Sequence, residues 1–196
     1  MSFERLQDKI REMKNPTVAG LDPKLEYVPS FIMEDKLKQY GQTLRCAAEA
    51  IYEYNVGLID ALCDVVPAVK PQSAFYERFG FEGVEALKRT VDYAKSKGLY
   101  VIMDAKRGDI GSTAEGYSDA YLGSVKVGET EIEPFGCDCL TINAYLGSDG
   151  INPFIKDCAA HDRAVFALVK TSNPSSGELQ NIVAGDRKVY NVVGDL

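Results

Sequence analysis

Residues 99–113 read LYVIMDAKRGDIGST. The opening run of Leu99, Tyr100, Val101, Ile102 and Met103 has no polar alternation, which predicts a strand buried on both faces, as in a parallel sheet. Directly after it stand Asp104, Lys106, Arg107 and Asp109, followed by the hydroxyls of Ser112 and Thr113. A core strand that ends in a charge cluster suits a barrel of parallel strands, whose active site lies at the C-terminal ends of the strands.

The same pattern recurs outward from this stretch. TVAGLD (17–22), VVPAVKPQSAF (65–75), CLTINAYLG (139–147) and AVFALVKTS (164–172) each predict a strand. Between them lie helical patterns. One long amphipathic stretch carries Leu37, Tyr40, Leu44, Ala47, Ile51, Tyr54 and Leu58 at helical spacing. FEGVEALKRTVDYAKSKG follows the second strand, with Gly98 as its C′ residue. A helix over about 112–125, a shorter one near 151–160 and a helical tail after 181 complete the reading. Strand–helix alternation with apolar strands is an α/β fold with a parallel sheet. An open dinucleotide-binding sheet would place G-x-G-x-x-G after the first strand, but the sequence there is GLDPKL. Polar residues close all five strands: Asp22, Lys70, Asp104 with Lys106, Asn143, and Ser172 with Asn173. That regularity favours a (β/α)8 TIM barrel. Such a barrel takes roughly 250 residues, so residues 1–196 are expected to form a single partial barrel domain holding about the first five βα units of a longer protein.

Composition narrows the partners. The chain has 196 residues, 45% hydrophobic and 26% charged, with a net charge of −7. An acidic protein is a poor match for nucleic acid or an anionic membrane. No apolar run is long enough to span a bilayer, and MSFERLQDKIREM lacks the apolar core of a signal peptide. A cytoplasmic protein is expected. The five cysteines, an odd and irregular set, predict free thiols. Cys137 and Cys139 have no second Cys/His pair to complete a zinc site. The one histidine, His161, predicts a surface turn, which argues against histidine-based triads.

A solvated ion-pair cluster is the plain alternative for DAKRGD. Against it, the charges begin where the strand ends, Asp104 and Lys106 share a face if the chain stays extended, and Lys70 closes the preceding strand. A lysine among carboxylates is held as ammonium, suited to donating a proton. A Schiff-base lysine needs a neutral amine, which Lys70 nearby would favour, so that role stays open. Asp104 and Asp109 also offer oxygens to Mg²⁺, although two lysines would repel the ion.

DAKRGDIGST closely resembles the D-x-K-R-x-D-I-x-x-T signature of the orotidine 5′-phosphate decarboxylase family. AGLDP, VKPQSAFYE, TINAYLG and LVKTSNPSSG resemble its longer bacterial branch in the same order, over residues 17–177. The resemblance implies conversion of orotidine 5′-phosphate (OMP) to UMP and CO2 with no cofactor and no metal. It implies a Lys-Asp-Lys-Asp array. Lys106 is the cation beside C6 and the proton donor. Asp104 lies near the departing carboxylate, and Lys70 bridges toward the ribose. Asp109 comes from the neighbouring subunit of a homodimer, crossing with Ile110 and Thr113. Asp22 binds ribose hydroxyls, Ser172 reads the pyrimidine edge, Asn143 sits on the rim, and Arg107 is structural. The superfamily's Mg²⁺-dependent sugar-phosphate decarboxylases and aldolases share D-x-K-x-x-D and form the alternative, beside a catalytically incomplete chain with an assembly role. The family's phosphate grip, with its glycines and arginine, is expected beyond the fifth strand.

Overall fold

The structure, a computed structural model, describes residues 1–196. The chain forms two compact units, residues 1–105 with 137–139, and residues 106–136 with 140–196.

In the first unit, α1 (Ser2–Met13) precedes β1 (Val18–Leu21), which leads through α2 (Ser30–Tyr40) and α3 (Leu44–Leu62) to β2 (Ala68–Pro71). A short turn of helix at Ala74–Glu77 and α4 (Gly80–Ser96) then lead into β3 (Tyr100–Arg107). β1 and β2 run parallel with Gly20 opposite Lys70, and β2 and β3 run parallel with Val69 opposite Val101. Parallel strands need helical crossovers, and α2–α3 and α4 supply them. Tyr100, Val101, Ile102 and Met103 are all buried, so both faces of β3 are covered, as its unbroken apolar run predicts.

The expected long helix over 37–58 is two helices. Gly41 takes φ 64°, and Thr43 starts the next helix by accepting the Cys46 amide at 3.2 Å. A positive φ suits glycine and stops a helix, and a threonine N-cap starts one.

Asp138 ties α1 to the sheet. Its carboxylate accepts the Val101 amide at 2.9 Å and Arg5 Nη1 at 2.9 Å, while Ser2 Oγ donates to its carbonyl at 3.0 Å. Cys137 and Cys139 flank it, both buried, and none of the five cysteines is in a disulfide.

Gly83 in α4 packs against the fully buried Tyr76. A Cβ there would sit 1.9 Å from the Tyr76 carbonyl oxygen and 2.9 Å from Phe79 Cβ. Tyr76 Oη accepts from Asn55 Nδ2 at 2.9 Å and donates to the Leu21 carbonyl at 3.5 Å. The α4 contact therefore reaches the C-terminal end of β1.

In the second unit, α5 (Gly111–Tyr121) is shorter than expected. An antiparallel hairpin, Val125–Val127 with Thr130–Ile132, follows it. β4 (Cys139–Asn143), whose first residue belongs to the first unit, leads to α6 (Ser148–His161) and then to β5 (Ala164–Leu168), its sheet neighbour. Both strands end earlier than expected. β4 stops because the Asn143 side chain accepts the Tyr145 amide at 3.0 Å and starts a 3-10 turn. His161 is the last residue of α6 rather than part of a turn. The tail is a small hairpin, Val183–Ala184 with Arg187–Lys188, followed by a helix only over Val189–Gly194. No helix is long and apolar enough to cross a membrane.

Candidate active site

Two parallel strands bring Lys70 and Asp104 together. Lys70 Nζ donates to Asp104 Oδ2 at 2.7 Å, and Gln72 Nε2 donates to the same oxygen at 3.0 Å. Gln72 and Asp104 also form a parallel bridge that extends the β2–β3 ladder. The Asp104 side chain is 9% exposed and that of Lys70 is 33%. A buried carboxylate requires such partners, because an uncompensated charge away from water costs several kcal/mol. Asp22, one residue past β1, is exposed and makes no hydrogen bond or ion pair within the chain. Its carboxylate is open to solvent.

In the second unit, Lys106 is exposed and adopts φ 50°. This left-handed conformation costs an L-residue about 1–2 kcal/mol. It also corrects the premise of extended chain from which Asp104 and Lys106 were expected to share a face. The Lys106 amide donates to Thr141 Oγ1 on β4 at 2.9 Å. Arg107 Nη2 donates to Tyr121 Oη at 3.1 Å, and its guanidinium lies over the Tyr117 and Tyr121 rings. Arg107 is thus anchored to α5, in keeping with a structural role.

Asp109 Oδ1 accepts the amide of Ile110 at 2.8 Å. Ile110 is 56% exposed, and Thr113 is exposed on the first turn of α5. Ile110 and Gly111 line an open groove against Asp149, Asn152, Pro153 and Lys156 of α6. Ser172 is exposed in the loop after β5. The residue before it is held from both sides: Gln180 Oε1 accepts the Thr171 amide at 2.9 Å, and Gln180 Nε2 donates to Thr171 Oγ1 at 2.7 Å.

The chain matches the model of the orotidine 5′-phosphate decarboxylase / HUMPS family over residues 18–195. It belongs to this family. An orotidine 5′-phosphate decarboxylase of Caldicellulosiruptor saccharolyticus is 40% identical over 192 residues, covering 98% of this chain and 63% of the relative. One from Rhodopirellula baltica is 41% identical over 180 residues, covering 92% of this chain and 58% of the relative. The chain therefore spans less than two thirds of these relatives' length. Among solved structures, Leishmania donovani OMP decarboxylase matches with a TM-score of 0.74 at 30% identity, over 99% of this chain and 63% of its own. A putative orotidine 5′-phosphate decarboxylase from Streptomyces avermitilis gives 0.76 at 33%, over 96% and 60%. The fold is that of these decarboxylases, an α/β TIM barrel, of which this chain holds five βα units.

Three residues escaped the sequence reading. Gln72 lies two positions after Lys70 on an extended strand, a spacing that puts both on one side, so its part in holding Asp104 was legible. Thr141 carries a weaker signal, a hydroxyl inside an apolar strand. Gln180 ends a single turn of helix, Gly177–Gln180, too short to show periodicity, and nothing local singles it out.

Proposed function

We propose that this chain carries the catalytic charges of an orotidine 5′-phosphate decarboxylase, which converts OMP to UMP and CO2. The observation that carries this reading is the buried Asp104 carboxylate held by Lys70 and Gln72 on adjoining parallel strands, in a chain of this family. Loss of CO2 from C6 leaves an electron pair in the plane of the pyrimidine ring, where the π system cannot accept it. The protein must then stabilise a localised anion and protonate it. Lys106 is the proton donor and the cation beside C6. Asp104 lies by the scissile carboxylate, with Lys70 fixing its position. Asp22 takes the ribose hydroxyls and Ser172 the pyrimidine edge. Asn143, whose Oδ1 is already engaged by Tyr145, offers its Nδ2 to the ligand. The reaction needs no cofactor and no metal. The Lys70 ammonium held on Asp104 supports this, since its charge would repel a Mg²⁺ ion there.

The test is direct. With the purified chain, the absorbance of OMP is expected to fall as UMP and CO2 appear, with no response to added Mg²⁺ or chelator. Asp104→Asn is expected to slow turnover by about 10²- to 10³-fold, the usual cost of removing one preorganised electrostatic group. Turnover of a sugar phosphate only with Mg²⁺ would replace this reading with that of a metal-dependent relative. Silence toward both would leave the chain an incomplete enzyme.

The site is shared between two copies of the chain. Asp109, Ile110 and Thr113 reach the neighbouring subunit, a placement supported by the exposed isoleucine and threonine beside the α5–α6 groove. Mixing inactive Lys106→Ala and Asp109→Ala proteins is expected to restore about a quarter of full activity, because half the sites are in heterodimers and half of those are intact. No recovery on mixing would mean each site is built from one chain. The five free thiols fit the reducing cytoplasm, where we place the protein.

A further inference from the structure

We propose that Thr141 is a positioning residue for Lys106, an inference that rests on the decarboxylase reading above. Lys106 is one of three non-glycine residues with positive φ, with Lys14 and Asp162. Lys14 and Asp162 are the C-caps of α1 and α6, where a left-handed residue commonly ends a helix. Lys106 has no such explanation, since it lies inside β3. A residue stays in a sparsely populated conformation only where its surroundings over-determine it.

Thr141 supplies part of that determination. It is 9% exposed, between the fully buried Leu140 and Ile142 on β4, and its Oγ1 accepts the Lys106 amide at 2.9 Å. The amide direction and φ together set where the Cα–Cβ bond of Lys106 points. The long side chain carries any backbone rotation out to Nζ. A proton donor displaced by about 1 Å can lose about 10²-fold in rate. The buried hydroxyl therefore acts on the reaction without touching the substrate.

The experiment follows exchange of the UMP C6 hydrogen in D2O, the microscopic reverse of the last step. The C6–H bond breaks, its proton passes to the neutral Lys106 amine, and the electron pair stays on C6. A deuteron from the exchanged ammonium then forms C6–D. The full chain is compared with Thr141→Val, Thr141→Ser and Lys106→Ala. UMP affinity and the circular dichroism spectrum are recorded for each, and Thr141→Ala is used if the valine variant misfolds.

Thr141→Val is expected to slow exchange by about 30- to 100-fold with UMP affinity within about twofold. Thr141→Ser, which keeps the acceptor, is expected to return within about threefold of the original rate. If Thr141→Val exchanges as fast as the unsubstituted chain while Lys106→Ala does not exchange, the positioning role is overturned and the decarboxylase reading survives. If serine fails to restore the rate, the threonine acts through packing, which also overturns the proposal. An unsubstituted chain that shows no exchange is an incomplete enzyme in which Thr141 positions no working proton donor, which overturns the proposal, whereas a Lys106→Ala variant that exchanges as fast as the unsubstituted chain removes the decarboxylase reading and this inference with it.

Discussion

On the proposed decarboxylase reading, Lys106→Ala is expected to reduce OMP turnover by about 10⁵-fold, the combined loss of the proposed proton donor and of the cation assigned to the developing carbanion. That corresponds to about 7 kcal/mol of transition-state stabilisation. The loss should fall on kcat, because the carbanion exists only at the transition state and beyond. Lys106 is exposed, so the substitution costs little stability, and the variant should unfold at the same urea concentration as the original. Steady-state kinetics beside a urea melt separates the two effects. A variant that keeps more than about a hundredth of the rate would leave room only for a charge supplied elsewhere.

The second large effect is on folding. Gly83→Ala is expected to destabilise the chain by about 3 kcal/mol or more, at the upper end of overpacking costs. The added methyl would stand 1.9 Å from the Tyr76 carbonyl oxygen. That atom is backbone and cannot swing aside, so α4 must shift or the 74–77 turn must open. Tyr76 is fully buried and bonded to Asn55 and the Leu21 carbonyl, so the strain would spread to the end of β1. Gly57 in α3 is the control. It has nothing within 4 Å of its missing Cβ, and Gly57→Ala should gain about 0.5–1 kcal/mol from helix propensity. Urea midpoints of the two variants that move together would refute the packing account.

Much of this was readable from residues alone, for particular reasons. β3 announced itself because a strand covered on both faces must be apolar without a break, and Tyr100–Met103 is. Lys70 and Asp104 were legible as partners because each closes a strand and consecutive strands in such folds are usually neighbours. Other features could not be read. The split at Gly41 was hidden because hydrophobic periodicity continues across the break. The hairpin at 125–132 was missed because its apolar residues are exposed and bury no face that would impose a pattern. The left-handed backbone at Lys106 has no sequence mark, since lysine gives no hint of positive φ. The α4–Tyr76 contact was invisible because Gly83 looks like any helix glycine until the chain that passes it is known.

The Lys70–Asp104 pair has a consequence for how this lineage can drift. Exchange of Lys70 alone withdraws the ammonium bonded to a carboxylate that is 9% exposed, and exchange of Asp104 alone removes the oxygen that Lys70 donates to, so each single step is penalised even where the double exchange would be tolerated. The two positions are separated by 34 residues, yet they form one unit of inheritance. Gln72 is tied less tightly, since losing a neutral donor leaves the carboxylate still paired. Across related sequences, positions 70 and 104 should change together or not at all, while position 72 varies more freely around them.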